Sequence, residues 1–197
     1  MTSLMDRVKN ILTNPKGEWE VINTETATVK GLLTSYVLPL SLLAAAASFL
    51  KFFVFSSLFG IAYSIAYTIF AVIVTVLVFV IATYVIDALA PSFKSEKDIN
   101  KSAQLVAYAG TAGYVAGLFS FIPVLGGLIS LAGAVYSIYL FYLGIGPLKK
   151  TPEDQKIVYI IVYILVSWAI YIVLFSVVAG ILFSSLITGA AAVSVFH

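Results

Sequence analysis

Four long stretches of this chain carry no charged residue, and they decide what it can fold into. Residues 31–50 make a run of 20, residues 52–86 a run of 35, residues 102–148 a run of 47 and residues 157–196 a run of 40. A helix needs about 20 apolar residues to cross the hydrocarbon of a bilayer. The first run therefore predicts one span and the second one long span with a short turn around Phe55 to Gly60. The third predicts two spans broken at Pro123, with Gly126 and Gly127 close behind. The fourth predicts one span and a tail rich in Ser, Ala and Gly. The expected fold is all-α, an integral membrane bundle of five transmembrane helices at about 31–53, 61–88, 102–122, 125–146 and 157–183. Residues 1–29 form a cytoplasmic amphipathic segment, and residues 30–197 the membrane domain. Composition agrees: 61% of residues are hydrophobic and only 10% charged, with mean hydropathy +1.08, against about 25% charged in a soluble domain.

Sidedness follows from the basic residues. Arg7, Lys9, Lys16 and Lys30 precede the first span, Lys94, Lys97 and Lys101 follow the second, and Lys149, Lys150 and Lys156 follow the fourth. These ten lie on one face and Lys51 alone on the other, so the positive-inside rule places the N-terminus in the cytoplasm and the C-terminus outside. All nine acidic residues join the same face if Asp87 ends span 2. The expected location is the cell (cytoplasmic or inner) membrane. The first 30 residues lack the continuous apolar run of a secretory signal peptide. Thr151-Pro152-Glu153-Asp154 and Ser95-Glu96-Lys97-Asp98 read as helix starts.

Leu4, Met5, Val8, Ile11 and Leu12 recur at helical spacing with Asp6, Arg7, Lys9 and Asn10 opposite, which predicts a short helix lying on the inner membrane surface. Asn14-Pro15 breaks it. Trp19 and Ile22 share a face of the next helix, with Trp19 expected at headgroup level.

Within the spans, Gly110, Gly113 and Gly117, then Gly126 and Gly127, are expected to let helix backbones approach closely; a substrate path is the alternative. No ionisable residue sits in mid-membrane to mark an ion path. There is no cysteine, one His at position 197, no Ser-His-Asp candidate and no phosphate loop. No catalytic, cofactor or metal site is expected, and the net charge of +2 gives no reason to expect nucleic acid. The carboxylates offer the one candidate constellation. Glu18 and Glu25 are seven residues apart, two turns on the same side of a helix. Asp87, at the end of span 2, opposes the helix dipole and calls for a positive partner. Lys30, Lys101 or, less favoured, a bound cation are the candidates, in a cytoplasmic polar cluster with Asp87 and one or both glutamates; the alternative is that each acid is separately solvated.

Several segments taken in order resemble the Yip1 family, in its prokaryotic branch. They are Pro15-Lys16-Gly17-Glu18-Trp19-Glu20-Val21-Ile22 followed by Glu25, Pro39 in span 1, Tyr108-Ala109-Gly110-Thr111, and Tyr139-Leu140-Phe141-Tyr142-Leu143-Gly144-Ile145-Gly146-Pro147. With the five-span layout the resemblance covers nearly the whole chain. It departs at Ala112, where the family often has Pro, so the resemblance implies a kink softened or missing there. Eukaryotic relatives have longer cytosolic N-termini, interact with Rab-type GTPases and work in vesicle traffic. Here only residues 1–29 precede span 1, and that role is not carried over. The function expected is that of a non-enzymatic membrane protein that binds a protein partner or organises the lipid bilayer through its cytoplasmic face; a small transporter or channel built on spans 3 and 4 is the alternative.

Overall fold

The structure, a computed structural model, describes residues 3–55 and 60–194, and these are helical with no strand among them. The turn expected around Phe55 to Gly60 falls on residues 56–59, outside the described residues, as does His197. Helices α1 (Leu4–Thr13) and α2 (Pro15–Thr24) form a hairpin about Asn14. The Ser3 hydroxyl accepts from the Asp6 N–H at 3.1 Å and starts α1. Pro15, which has no N–H to satisfy, opens α2. Most of the apolar stripe of α1 meets protein: Ile11 is fully buried and Leu4, Val8 and Leu12 pack against the same core, while Met5 stays exposed. Trp19 is likewise fully buried, which replaces the expected headgroup position.

Helix α3 (Val29–Leu32), a π-helical turn (Leu33–Val37) and α4 (Leu38–Phe55) run on from one another. Pro39 cannot donate a backbone hydrogen bond and its ring crowds the carbonyl four residues earlier. The wider turn just before it makes room. Hydroxyls of Thr34 and Ser35 donate to the carbonyls of Lys30 (3.0 Å) and Gly31 (2.7 Å) there. The remaining helices are α5 (Gly60–Leu89), α6 (Ile99–Ala109), α7 (Thr111–Gly117), α8 (Leu125–Lys149) and α9 (Glu153–Ser194).

Among the described residues, four helical segments are long and apolar enough to cross a membrane: Val29–Lys51, Ser64–Phe93, Leu125–Lys149 and Glu153–Leu174. The expected five spans are corrected to four, because residues 102–122 do not form one apolar helix. That stretch is split at Gly110, and α6 opens on Asn100, Lys101, Ser102 and Gln104. The break needs no proline. The Thr111 hydroxyl donates to the Tyr108 carbonyl at 2.6 Å, and Tyr36 from the π turn bonds Thr111 at 2.7 Å. This side-chain bond competes for a carbonyl the helix would otherwise use, so the kink expected to soften at Ala112 is present at Gly110.

The split pair still runs the length of α8, antiparallel to it. Lys149 reaches Ser102, Gly144 abuts Leu105, Ser137 bonds Gly113 and Gly133 abuts Ala116. Asp87 of α5, Lys149 of α8 and the start of α9 therefore share one end, here termed the charged end. Outward faces carry apolar stripes at helical spacing: Ile65, Ile69, Ile73 and Leu77 on α5, Leu128, Leu131 and Val135 on α8, and Ile157, Ile161 and Leu165 on α9. Surfaces of this kind are stable against lipid. The helix starts at the charged end differ in detail from the expectation. Asp98, not Ser95, caps α6 by accepting from Asn100 (2.8 Å) and Lys101 (3.1 Å). Thr151 turns inward to bond Ser95 at 2.8 Å, while Pro152 accepts from Gln155 and Lys156.

Candidate functional site

One arginine closes the α1–α2 hairpin: Arg7 of α1 joins Glu18 of α2 and Glu25 at the end of α2. Arg7 Nη2 donates to both carboxylate oxygens of Glu25, at 2.5 and 2.6 Å, and Nη1 donates to Glu18. The guanidinium lies over the Tyr108 ring, 5.3 Å from its centroid. Arg7 and Glu18 are buried, whereas the Glu25 side chain keeps 32% of its exposure. Burial works against the Arg7 charge, but Glu25 and Glu18 together hold its proton above the ordinary affinity.

The C-terminal end of α2 is gripped by α6. Lys101 Nζ donates to the carbonyls of Asn23 (2.7 Å) and Glu25 (3.2 Å), and Gln104 Nε2 to those of Ile22 (3.3 Å) and Glu25 (3.2 Å). A cation there satisfies orphan carbonyls and complements the negative end of the helix dipole. Burial lowers the Lys101 pKa, offset in part by Asp98 and Glu25. Trp19 seats the middle of α2 on α8: a Cβ at Gly144 would stand 2.7 Å from the indole and 2.8 Å from Leu105, so only glycine fits there. Tyr136 completes the attachment by donating to the Leu12 carbonyl at 2.8 Å.

Asp87 belongs to a second group. Its Oδ1 lies 3.2 Å from Lys149 Nζ and accepts from Ser102 Oγ at 3.2 Å; Lys149, fully buried, also donates to Ser102 Oγ (2.7 Å) and the Asp98 carbonyl (3.2 Å). Neighbouring residues of α6 thus serve both groups, Lys101 toward α2 and Ser102 toward Asp87 and Lys149. The structure places Glu18 and Glu25 with Arg7, Asp87 with Lys149, Lys101 on α2 carbonyls, and Lys30 exposed on α3. The expected single cluster is two clusters sharing a strut. Sequence reasoning missed Arg7 and Lys149. Arg7 does stand on the stripe of Leu4 and Ile11, three and four residues away, and that signal was available.

The glycines divide by contact. A Cβ at Gly126 would lie 2.6 Å from the Phe119 carbonyl oxygen, one at Gly117 3.1 Å from Ala44 Cβ, and one at Gly110 3.2 Å from the Val106 carbonyl. At Gly113 the nearest atom is 3.7 Å away, and at Gly127 nothing lies within 4 Å, so those two are not close-packing points. Gly133 and Gly144 are: a Cβ at Gly133 would stand 2.4 Å from Ala116 Cβ.

Among the described residues no three His, Cys, Asp or Glu side chains come together as a metal-binding group. A polar cleft of about 880 Å³ lies between the hairpin and α3, walled by Arg7, Glu25, Thr28, Ser35, Tyr36 and Tyr108. No curated protein and no solved structure matches this chain. The Yip1 domain matches it over residues 9–177, from within α1 into α9, and takes in α2, the two glutamates of the first ion-pair group, the Asp87–Lys149 pair and the broken helix, while Arg7 lies before the matched stretch. The chain is a multi-pass membrane protein that belongs to the Yip1 domain family.

Proposed function

We propose that this protein is a non-enzymatic membrane scaffold whose charged end faces the cytoplasm and holds the α1–α2 hairpin as a fixed docking surface for a protein partner. The observation that carries this reading is the buried Arg7–Glu18–Glu25 group. Buried ion pairs add little net stability compared with apolar packing, but they can fix a single arrangement. Here that arrangement turns Asp6, Lys9, Lys16 and Glu20 outward with Met5 and Val21 among them. Charged residues around a few exposed apolar ones suit a protein partner. The ten basic residues at this end support the cytoplasmic assignment.

Because the chain has no native cysteine, single-cysteine labelling tests the orientation. Glu20→Cys and Lys97→Cys should react with an impermeant maleimide only after the cytoplasmic side is opened, and Ser194→Cys from outside in intact cells. The opposite pattern at all three would defeat the reading. A transport function draws on the glycine break between α6 and α7 and would require solute flux by the reconstituted protein.

A further inference from the structure

Beyond the docking reading, and independent of it, the bundle holds a cavity of about 360 Å³ ringed by α5, α6–α7, α8 and α9. Its origin is the break at Gly110. Helix α6 packs on α5 and α8, but past the break α7 packs on α4 and α8. The chain leans away from α5, and a gap opens between α5 and α8 above the stacked rings of Phe141 and Tyr163, whose centroids are 4.6 Å apart. Gly113 adds to the gap because it has no side chain to fill it.

Three features define what fits. The lining carries no charge. Ile138 and Tyr171 line the cavity yet keep 44% and 47% of their exposure on the outer surface, so the cavity is continuous with the apolar face of the spans. Ser137 sits 12 residues from Lys149, about 18 Å along α8, and its neighbour Tyr136 meets the Leu12 carbonyl, so the cavity lies level with the end of α1. Tyr114 offers a polar handle. The Thr75 hydroxyl donates to the Ala71 carbonyl (2.8 Å), Ser137 Oγ accepts from the Gly113 N–H (3.2 Å), and Tyr163 has Ser167 beside it. The Tyr114 hydroxyl has no protein hydrogen-bond partner among the described residues, although Tyr114 lines the cavity. A phenol in such a place takes a partner when one is offered.

We propose that this cavity is an intramembrane lipid site that takes one acyl chain of a glycerolipid from the bilayer, with an ester carbonyl accepting from Tyr114. Its volume falls in the range of ligand pockets, about 300–1,000 Å³.

The test is photo-crosslinking of the full chain reconstituted with phosphatidylglycerol that carries a diazirine on one acyl chain, with adducts mapped by mass spectrometry. Adducts are expected on Val78, Phe79 and Tyr114 inside the cavity as well as on outward Leu128 and Leu131. Gly113→Leu, which fills the cavity, should abolish the first set and leave the second. If that variant does not fold, Val78→Phe fills the same space from α5 and should read the same way. Tyr114→Phe should lower the cavity adducts severalfold. A diazirine-labelled quinone in a parallel arm should give no cavity adducts; if it alone labels the cavity, the occupant is a free carbonyl compound and the glycerolipid assignment is wrong. Adducts confined to outward residues, or cavity adducts that persist in the filled variants, would overturn the site. An unchanged yield in Tyr114→Phe would overturn the carbonyl contact.

Discussion

Replacing Arg7 with Met should open the hairpin by parting α1 from α2, without dissolving the bundle. Arg7 and Glu18 have side chains only 5% and 8% exposed, so the substitution leaves Glu18 buried without its cation. Removing one partner of a buried pair costs about 3–5 kcal/mol. Glu25 is a third exposed and can turn to water, so the lower end applies here, about 3 kcal/mol. The hairpin need not drag the core with it, since proteins open locally in units. At about 1.4 kcal/mol per factor of ten, the open population should rise roughly a hundredfold. Cleavage by a lysine-specific protease at Lys9 and Lys16 reports that population when closing is faster than cutting, and it does not depend on the arginine removed. The triple change Arg7→Met, Glu18→Leu, Glu25→Gln replaces the ions with neutral groups and should restore most of the protection. A cleavage rate for Arg7→Met within threefold of the parent protein would refute the argument that the ion group holds the hairpin.

Four other single variants have expected outcomes. Gly144→Val puts a Cβ within 2.8 Å of both the Trp19 ring and Leu105, and should lower stability by about 1–3 kcal/mol, read as a fall in the detergent melting temperature that Trp19→Leu partly reverses. Gly126→Ala should lower the melting temperature because its Cβ meets backbone at 2.6 Å, whereas Gly127→Ala, with open space around it, should raise it slightly by improving helix propensity; equal effects at the two sites would contradict the packing described. Asp87→Ala strips Lys149, which is fully buried, of its anionic partner. It should cost about 3 kcal/mol or more by the same melting assay, and Asp87→Ala with Lys149→Met should recover much of the loss.

Most of the architecture is legible because lipid leaves so few options. Runs without charge locate the four long spans, and the clustering of Lys and Arg picks out the charged end. The broken helix is not legible this way. In the 47 uncharged residues from Ser102 to Leu148, hydropathy does not register that one threonine hydroxyl takes the Tyr108 carbonyl, nor that Tyr36, 75 positions earlier, holds that threonine. The same limit applies to the ion groups. Helical spacing places Glu18 and Glu25 on one side, and the dipole at the end of α5 demands a cation for Asp87. The partners come from α1 and α8, and Lys149 is 62 residues from Asp87; periodicity within a helix says nothing about pairs between helices. Charge also misleads on α1, because it groups Arg7 with the solvated face although Arg7 stands on the stripe that meets the bundle.

The docking surface itself is tested most directly by photo-crosslinking in living cells from residues on the outward side of α2. A photoreactive phenylalanine at Lys16 or Glu20, both exposed, should give the same discrete protein adduct. That adduct should be absent when the probe replaces lipid-facing Leu128, and should be lost when Arg7→Met parts α1 from α2 while the protein stays at its normal level. No protein adduct from either α2 position, or an adduct that survives Arg7→Met unchanged, would contradict the proposal that the locked hairpin is the surface this protein presents to a partner.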